Sequence, residues 1–498
     1  MKKIILACLA FLTAIILAAY AGYAVNTSAP APPEPFNTER VVCIPPLTPA
    51  AMPFAWQNYY RPSGVMIRKN IYSLTPAEIT AIKTGIAAMK ALPVTNKTSW
   101  AYQAAIHGTT LSNNLPSWNS CQHGTQFFYS WHRMYLYFFE RILRAKSGSA
   151  DLTLPYWNYQ TNAALHPDYR NSAAGNTLYD GTRNSSINNG GSLGPGPMTS
   201  INNALNHIPF YDFQGAIEGP HGSIHVAIGG NMGAVNRAAT DPVFWLHHSN
   251  IDRLWEAWLR KCGGRSNPTD ATWLNKTYTF FDENGTAVNM TGSQVVSTAS
   301  SLNYRYDFPP MIACNIKIDW AKWKWRHVIL LKKDILIPVN QKITRAAFKT
   351  ELNDTVAQSI RINKSADKLR FSSTAPSDKL LVTLGDIEVN KMPEGVVEVY
   401  LNLPPNVTPS PDSKYFAGVL DLFSLSAGMA HRSHKGGNDL SIDASHVARS
   451  LELSLSAMKN AQLSFYVRGN TVRGKEVPTT ADIRIKRTNF ALQVAQRQ

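Results

Sequence analysis

Cysteine is scarce, five in 498 residues, which excludes a small disulfide scaffold. Acidic side chains are also few, 33 against 49 basic ones, leaving a net charge of +16 that falls mostly after residue 310. A basic balance can attract nucleic acid, but no nucleic-acid module repeats here. Nucleic acid is not an expected partner, and a well-solvated surface is the simpler reading. Charged residues make up only 16% and hydrophobic ones 44%, which excludes a largely disordered chain. The one long apolar run is N-terminal, so a multi-span membrane protein is excluded. No repeat of fixed period is visible. The length is roughly three times that of a typical domain, so two or more compact units are expected.

The apolar run is an address. Lys2 and Lys3 precede Ile4 to Ala21, and small residues follow at Ala21, Gly22 and Ala24. A positive start, an apolar middle and a small-residue end describe a secretory signal, here residues 1–24. Export to the outside or the periplasm is expected; the alternative is an uncleaved N-terminal membrane anchor. With the signal removed no stable membrane span remains. Cys8 leaves with it, and Cys43, Cys121, Cys262 and Cys314 then sit where disulfides are allowed. A Pro-rich leader fills 25–40.

Two unlike parts follow. Residues 41–310 are rich in Trp, Tyr, His and Asn. Thr75-Pro-Ala-Glu78 is a capping box with proline in the first turn, and Ile79, Ile82, Ile86 and Met89 continue a helix until Pro93. Further helices are expected over 131–143 and 243–259, with long loops over 160–215. Residues 311–330 read as a linker and first strand, with Trp320, Trp323 and Trp325 among basic residues. From 331 to 498 short alternating runs, among them 328–336, 379–389, 396–403, 451–455, 463–467 and 481–485, predict strands of an all-β sandwich. The expected fold is thus mixed, a mainly helical bundle followed by a β-sandwich.

The thirteen histidines are unevenly spread. His123 and His132 flank an aromatic run, His221 and His225 stand four apart on one helical face, and His247-His248 closes Asp241-Pro-Val-Phe-Trp-Leu. His107 lies upstream. A helical bundle can aim such side chains at one centre. Imidazole-only ligation suits Cu, Zn, Ni or Fe and excludes the oxygen-rich sites of Mg or Ca. The zinc hydrolase pattern H-E-x-x-H is absent, since residue 222 is Gly. Six imidazoles can give two metals three nitrogens each, and an oxidising compartment favours copper with O2 as co-substrate.

These residues resemble the type-3 copper proteins of the tyrosinase/polyphenol oxidase family. Cys121-x-His123-x8-His132-Arg133 is similar to the first copper signature, and His221-x3-His225 with Asp241-Pro-x-Phe-x-x-His247-His248-x-Asn-x-Asp-Arg-x-Trp to the second. Trp273 to Asn284 resembles the middle segment of the plant enzymes, and Tyr304-Arg-Tyr306 the motif closing their catalytic domain. Glu398-Val-Tyr-Leu and Tyr415-Phe-Ala-Gly resemble, more weakly, their C-terminal β-domain. The resemblance implies a dicopper domain over 41–310. His107, His123 and His132 would bind one copper, and His221, His225 and His248 the other. His247 would orient the ligands. Arg133, Asp252 and Arg253 read as buried paired charges. His166, His207, His327, His431, His434 and His446 match no ligand motif and read as surface residues.

The resemblance also implies roles. Glu218 matches a water-holding glutamate whose bound water can take a phenol's proton, and Phe128 packs against the ligands. Tyrosinases carry Asn where this chain has Gly222, which disfavours monophenol hydroxylation; Val235 replaces a bulkier gate residue, which favours it. Cys121 stands where fungal relatives and molluscan haemocyanins form a thioether to the equivalent of His123; a free or disulfide-bonded thiol is the alternative. The expected activity is oxidation of catechols to o-quinones, with monophenol hydroxylation left open, small phenols and O2 being the partners. The β-region from about 330 would cover the copper entrance until trimmed near 311–330. A haemocyanin-like O2 carrier, a specialised o-aminophenol oxidase and, remotely, a dizinc or dinickel hydrolase are the rival readings.

Overall fold

Thr75 starts the first long helix, α1 (Pro76–Lys90), in the computed structural model, which describes residues 64–111, 115–308, 323–348, 379–426, 439–458 and 460–497. The N-terminal address, the leader, Cys43 and Cys314 lie outside those residues. The Thr75 hydroxyl accepts the Glu78 N–H at 3.3 Å while the Glu78 carboxylate accepts the Thr75 N–H at 2.8 Å. Pro76 fits the first turn because no helical donor is needed there. Ile79, Ile82, Ile86 and Met89 form the buried stripe, packed on a 20-residue helix, α3 (Phe128–Ser147). Between them Ser99 caps α2 (Trp100–His107). The layer is completed by α4 (Gly196–Ala204), α5 (Phe210–Ile228) and α6 (Val243–Arg260).

Buried charges lock these helices in register. Asp252 on α6 accepts from Arg133 on α3 at 2.5 Å and from the hydroxyls of Tyr304 and Tyr306 at 2.6 Å each. Arg68 spans Glu140 at 2.8 Å and Asp252 at 3.4 Å, and Arg133 also reaches Glu256 at 3.0 Å. The two tyrosines lie on a three-residue strand paired in parallel with Met66–Arg68, so the Tyr-x-Tyr motif is a clasp on Asp252. Arg253 lies over the rings of Tyr156 and Phe308.

The later residues build two sheets. One has four strands, in the spatial order Phe416–Val419, Gly395–Leu401, Gln462–Gly469, Ile343–Ala347. The other orders Leu440–Asp443, Lys379–Gly385, Asp482–Arg497 and Trp323–Val339, with Glu388–Lys391 also paired to Asp482–Arg497. The mixed helical and sheet architecture agrees with the sequence reading. Sheet and helices meet closely: the Lys379 ammonium pairs with Asp212 on α5, and the Asn470 amide donates to the Ala227 carbonyl at 2.8 Å.

Local expectations differ in four places. Residues 196–204 form a helix inside the expected loop region; Pro197 suits its first turn and Ile201 and Ala204 bury, a pattern hidden by Asn and Ser. The helix carrying the His221 pair begins already at Phe210. Residues 451–455 are no strand: Ser454 accepts the Ala457 N–H at 3.2 Å and starts a short helix, Leu455–Met458. The run 379–389 divides at Asp386, whose φ of 51° ends one strand before the next begins at Glu388. The strand from Trp323 begins within the segment read as a linker and first strand, as that reading has it. Among the described residues no helix is long and apolar enough to cross a membrane.

Candidate metal centre

Each helix delivers its imidazoles where the next can meet them. His107 ends α2, His132 sits in the second turn of α3, His221 and His225 share one face of α5, and His248 lies in the second turn of α6. His123 comes from the connection before α3.

Backbone carbonyls set the tautomers. Nδ1 of His107 donates to the Val235 carbonyl at 3.0 Å, that of His132 to Phe128 at 2.8 Å, and that of His225 to Met232 at 2.9 Å. A proton fixed on Nδ1 leaves the lone pair on Nε2. Those lone pairs converge. The His248 Nε2 lies 3.2 Å from that of His225 and 3.4 Å from that of His221. His132 and His248 lie face to face, with centroids 4.5 Å apart at 11°. The rings of His107, His123 and His132 are separated by 5.2 to 5.8 Å.

Ligand atoms lie within 4.8 Å of one another in three groups: His221, His225, His247 and His248; His107, His132 and His248; and His107, Cys121 and His123. Burial first, then neighbouring imidazoles, hold His132, His221, His225 and His248 far below the ordinary histidine range, so these rings are neutral. Neutral nitrogens crowded in a dry pocket, with the buried His132 Nε2 lacking a hydrogen-bond partner, fit a nitrogen-preferring transition metal such as copper. Among the described residues no carboxylate joins these groups. His247 is fully buried, and burial pushes it down to about 3; its centroid is 4.6 Å from that of His225.

The remaining predicted residues fall around this cluster. Phe128 is fully buried, 4.7 Å from the His132 ring and 5.0 Å from that of His221. Val235 is buried too, and its carbonyl is the His107 anchor. The Glu218 carboxylate accepts the Gly124 N–H at 2.5 Å. Burial and the nearby Asp421 carboxylate push Glu218 up to about 8 despite that bond. Gly222 follows His221 on α5. The buried Cys121 Sγ lies 3.5 Å from the His123 Nδ1, and Cys262 is disulfide-bonded.

Three residues at the centre escaped the sequence reading, all from the sheet region. The single helical turn α7 (Leu422–Leu425) places the Phe423 ring parallel to His225, with centroids 3.9 Å apart at 4°, and edge-on to His123 at 5.6 Å and His221 at 5.8 Å. Asp421 caps this turn, and the Ser426 hydroxyl accepts the Val235 N–H at 3.1 Å. No local motif marks them; only tertiary packing brings residue 423 to residue 225. His207 and His446, read as surface residues, are at the same junction. His207 lies 3.8 Å from an Asp443 oxygen, and His446 is bonded to the Phe416 carbonyl at 2.8 Å.

Comparison with known proteins follows the same division. The common central domain of tyrosinase matches residues 97–210 and 196–261, the polyphenol oxidase middle domain matches 267–324, and a domain of unknown function matches 335–491. A tyrosinase of Hahella sp. (strain CCB-MM4) is 33% identical over 293 residues, 48% of this chain and 62% of that one. Polyphenol oxidase II of Ipomoea batatas, a chloroplastic protein, is 29% identical over 57% of each chain. The chain thus spans about three fifths of the length of these relatives. Latent apple tyrosinase shares the fold, with a TM-score of 0.57 at 20% identity, covering 86% of this chain and 98% of that one. Residues 97–261 thus match the central domain of tyrosinase and 267–324 the polyphenol oxidase middle domain, which makes the helical region similar to the type-3 copper tyrosinase/polyphenol oxidase family.

Proposed function

We propose that this chain is a polyphenol oxidase that converts o-diphenols to o-quinones with O2. His107, His123 and His132 would hold one copper ion, and His221, His225 and His248 a second. Bound copper would supply the redox couple. Two catechols give up four electrons and four protons, which reduce one O2 to two waters, so the reaction balances without a further reductant.

The protein's own residues do the rest. Carbonyl anchors hold His107, His132 and His225 with Nε2 inward, which fixes the ligand set before any metal arrives. Phe128, Phe244 and Trp131 exclude water around it: Phe244 lies 4.2 Å from the His248 ring and 4.7 Å from the His107 ring, and Trp131 lies 4.8 Å from the His132 ring. Glu218 would hold the water that takes a phenolic proton, most effectively once ionised, above about pH 8. Diphenol oxidation is the proposed activity; glycine at 222 works against monophenol hydroxylation and the small Val235 works for it, and the ratio of O2 uptake with catechol to that with tyrosine measures the balance. Cys121 would be joined to the His123 ring as a thioether, the thiol and a ring carbon each losing a hydrogen to O2; the chain would then be two hydrogens lighter.

The observation that carries this reading is the convergence of Nε2 lone pairs from four helices. Phe423 implies a closed form: its ring lies on His225, and residues from about 330 would cover the site in the uncut chain. That closure is also what favours the rival, an O2 carrier, because O2 needs less room than a phenol. Oxygen uptake with catechol and with tyrosine, before and after limited proteolysis near 311–330, separates them. An oxidase takes up O2 with catechol, and more so after trimming. A copper-loaded, trimmed chain that binds O2 but makes no quinone would overturn the proposal in favour of the carrier. Export is proposed on the N-terminal address alone.

A further inference from the structure

The slot at residue 222 is not empty. A Cβ added to Gly222 would overlap the Asp421 carboxylate, lying 2.5 Å from its Cγ and 3.2 Å from the Phe423 Cβ. Asp421 comes from the sheet region, 199 positions along the chain from Gly222. It is also the cap of α7: its Oδ1 accepts the Ser424 N–H at 3.1 Å, and its carbonyl accepts the Ser424 hydroxyl at 3.0 Å. One side chain therefore both starts the helical turn that carries Phe423 and fills the space beside His221. The neighbouring contact is looser, since a Cβ at Gly219 would lie 3.3 Å from the Val419 carbonyl oxygen. Gly215, one turn further back on α5, meets nothing within 4 Å. Glycine is unfavourable inside a helix. At 222 its missing side chain makes room for the Asp421 carboxylate.

We propose that Gly222 is the socket of a lock: it seats the Asp421 carboxylate, and the fit of the two determines how firmly α7 holds Phe423 over the imidazole cluster. This rests on the reading of the sheet region as a cover. A glycine that looked like a catalytic deficiency thereby acquires a positioning role, and the strength of closure is written at a residue of the helical region. Any side chain at 222 competes with Asp421 for the same volume. With Ser426, the C-cap of α7, bonded to Val235, small shifts of the turn are limited and the overlap is relieved by α7 undocking.

The test uses the full uncut chain with two variants, Gly222→Ala and Asp421→Ala, and Gly215→Ala as a control for helix propensity. The first readout is amide hydrogen exchange of residues 421–426 in the metal-free chain, which is independent of copper chemistry. Gly222→Ala and Asp421→Ala should each speed exchange there about tenfold or more, as overpacking or loss of the cap loosens the turn. Gly215→Ala should leave it unchanged. The second readout is catechol turnover of the copper-loaded chain before and after trimming. Uncut Gly222→Ala should approach the rate of its own trimmed form, while uncut wild type stays well below its trimmed form. If trimming activates wild type but neither variant loosens 421–426, the lock is wrong and the cover stands. If trimming changes nothing, the cover reading fails and the lock falls with it. Should Asp421→Ala fold poorly, Asp421→Asn keeps the cap and the shape, and should exchange as slowly as wild type. Exchange in Asp421→Asn as fast as in Gly222→Ala would also overturn the lock.

Discussion

The two sides of the imidazole cluster are held by different physics. On the helical side, α3 and α6 are tied by buried, paired ions: Asp252 alone takes bonds from Arg133, Tyr304 and Tyr306. On the cover side one helical turn is seated by a stacked ring, one carboxylate in a glycine slot and one hydroxyl on Val235. Removing one partner of a buried ion network leaves uncompensated charge, whereas undocking a single turn exposes two apolar side chains, Leu422 and Phe423, and returns a carboxylate to water. On the proposed reading, the ligands are built to stay and the cover is built to leave. Pre-organisation of a metal site needs the first property, and a removable lid needs the second.

Breaking the helical side should cost most. His248→Ala removes an imidazole that, like His107, belongs to two of the three ligand groups. Quinone formation should fall by more than the ~10–100-fold typical of outer-sphere changes at metal sites, measured as O2 uptake with catechol; an unchanged rate would sink the site. Asp252→Ala removes the carboxylate that Arg68 and Arg133 share, leaving them Glu140 and Glu256 alone, without touching an imidazole. It should cost about 3–5 kcal/mol of stability, read by denaturant unfolding of the metal-free chain, and a loss below about 1 kcal/mol would show that the network does not lock the helices.

The cover side should respond in the opposite sense. Phe423→Ala should raise catechol turnover of the uncut chain, since a buried phenylalanine truncated to alanine loses about 3–5 kcal/mol of packing. The trimmed chain should show no change, and an uncut variant as slow as wild type would remove Phe423 from the closure. The smallest effect lies far from both. Thr75→Ala deletes the α1 cap and should cost about 1 kcal/mol with turnover per folded molecule unaffected, which separates stability from site chemistry.

Where a local rule was sufficient, the sequence was a good guide. The Thr75 to Glu78 capping box, the buried stripe of α1 and the limits of α6 follow from spacing within one helix. The histidine clusters could be read for the same reason, because each sits in a short motif. What could not be read lies between distant segments. Nothing around Asp421 or Phe423 announces a partner near residue 222 or 225, and Gly222 read alone suggests only a missing side chain. The Asn- and Ser-rich polarity of 196–204 likewise masked a helix whose apolar positions point into the junction with the sheets. His207 and His446 looked solvated because the strands they meet come more than 200 residues after the first and 30 before the second.

The most direct measurement is the copper content of the purified, metal-loaded chain together with its O2 uptake on catechol. The account predicts two copper ions per chain and quinone as the product. A single ion per chain, or two ions with no quinone even after the sheet region is trimmed away, would contradict it.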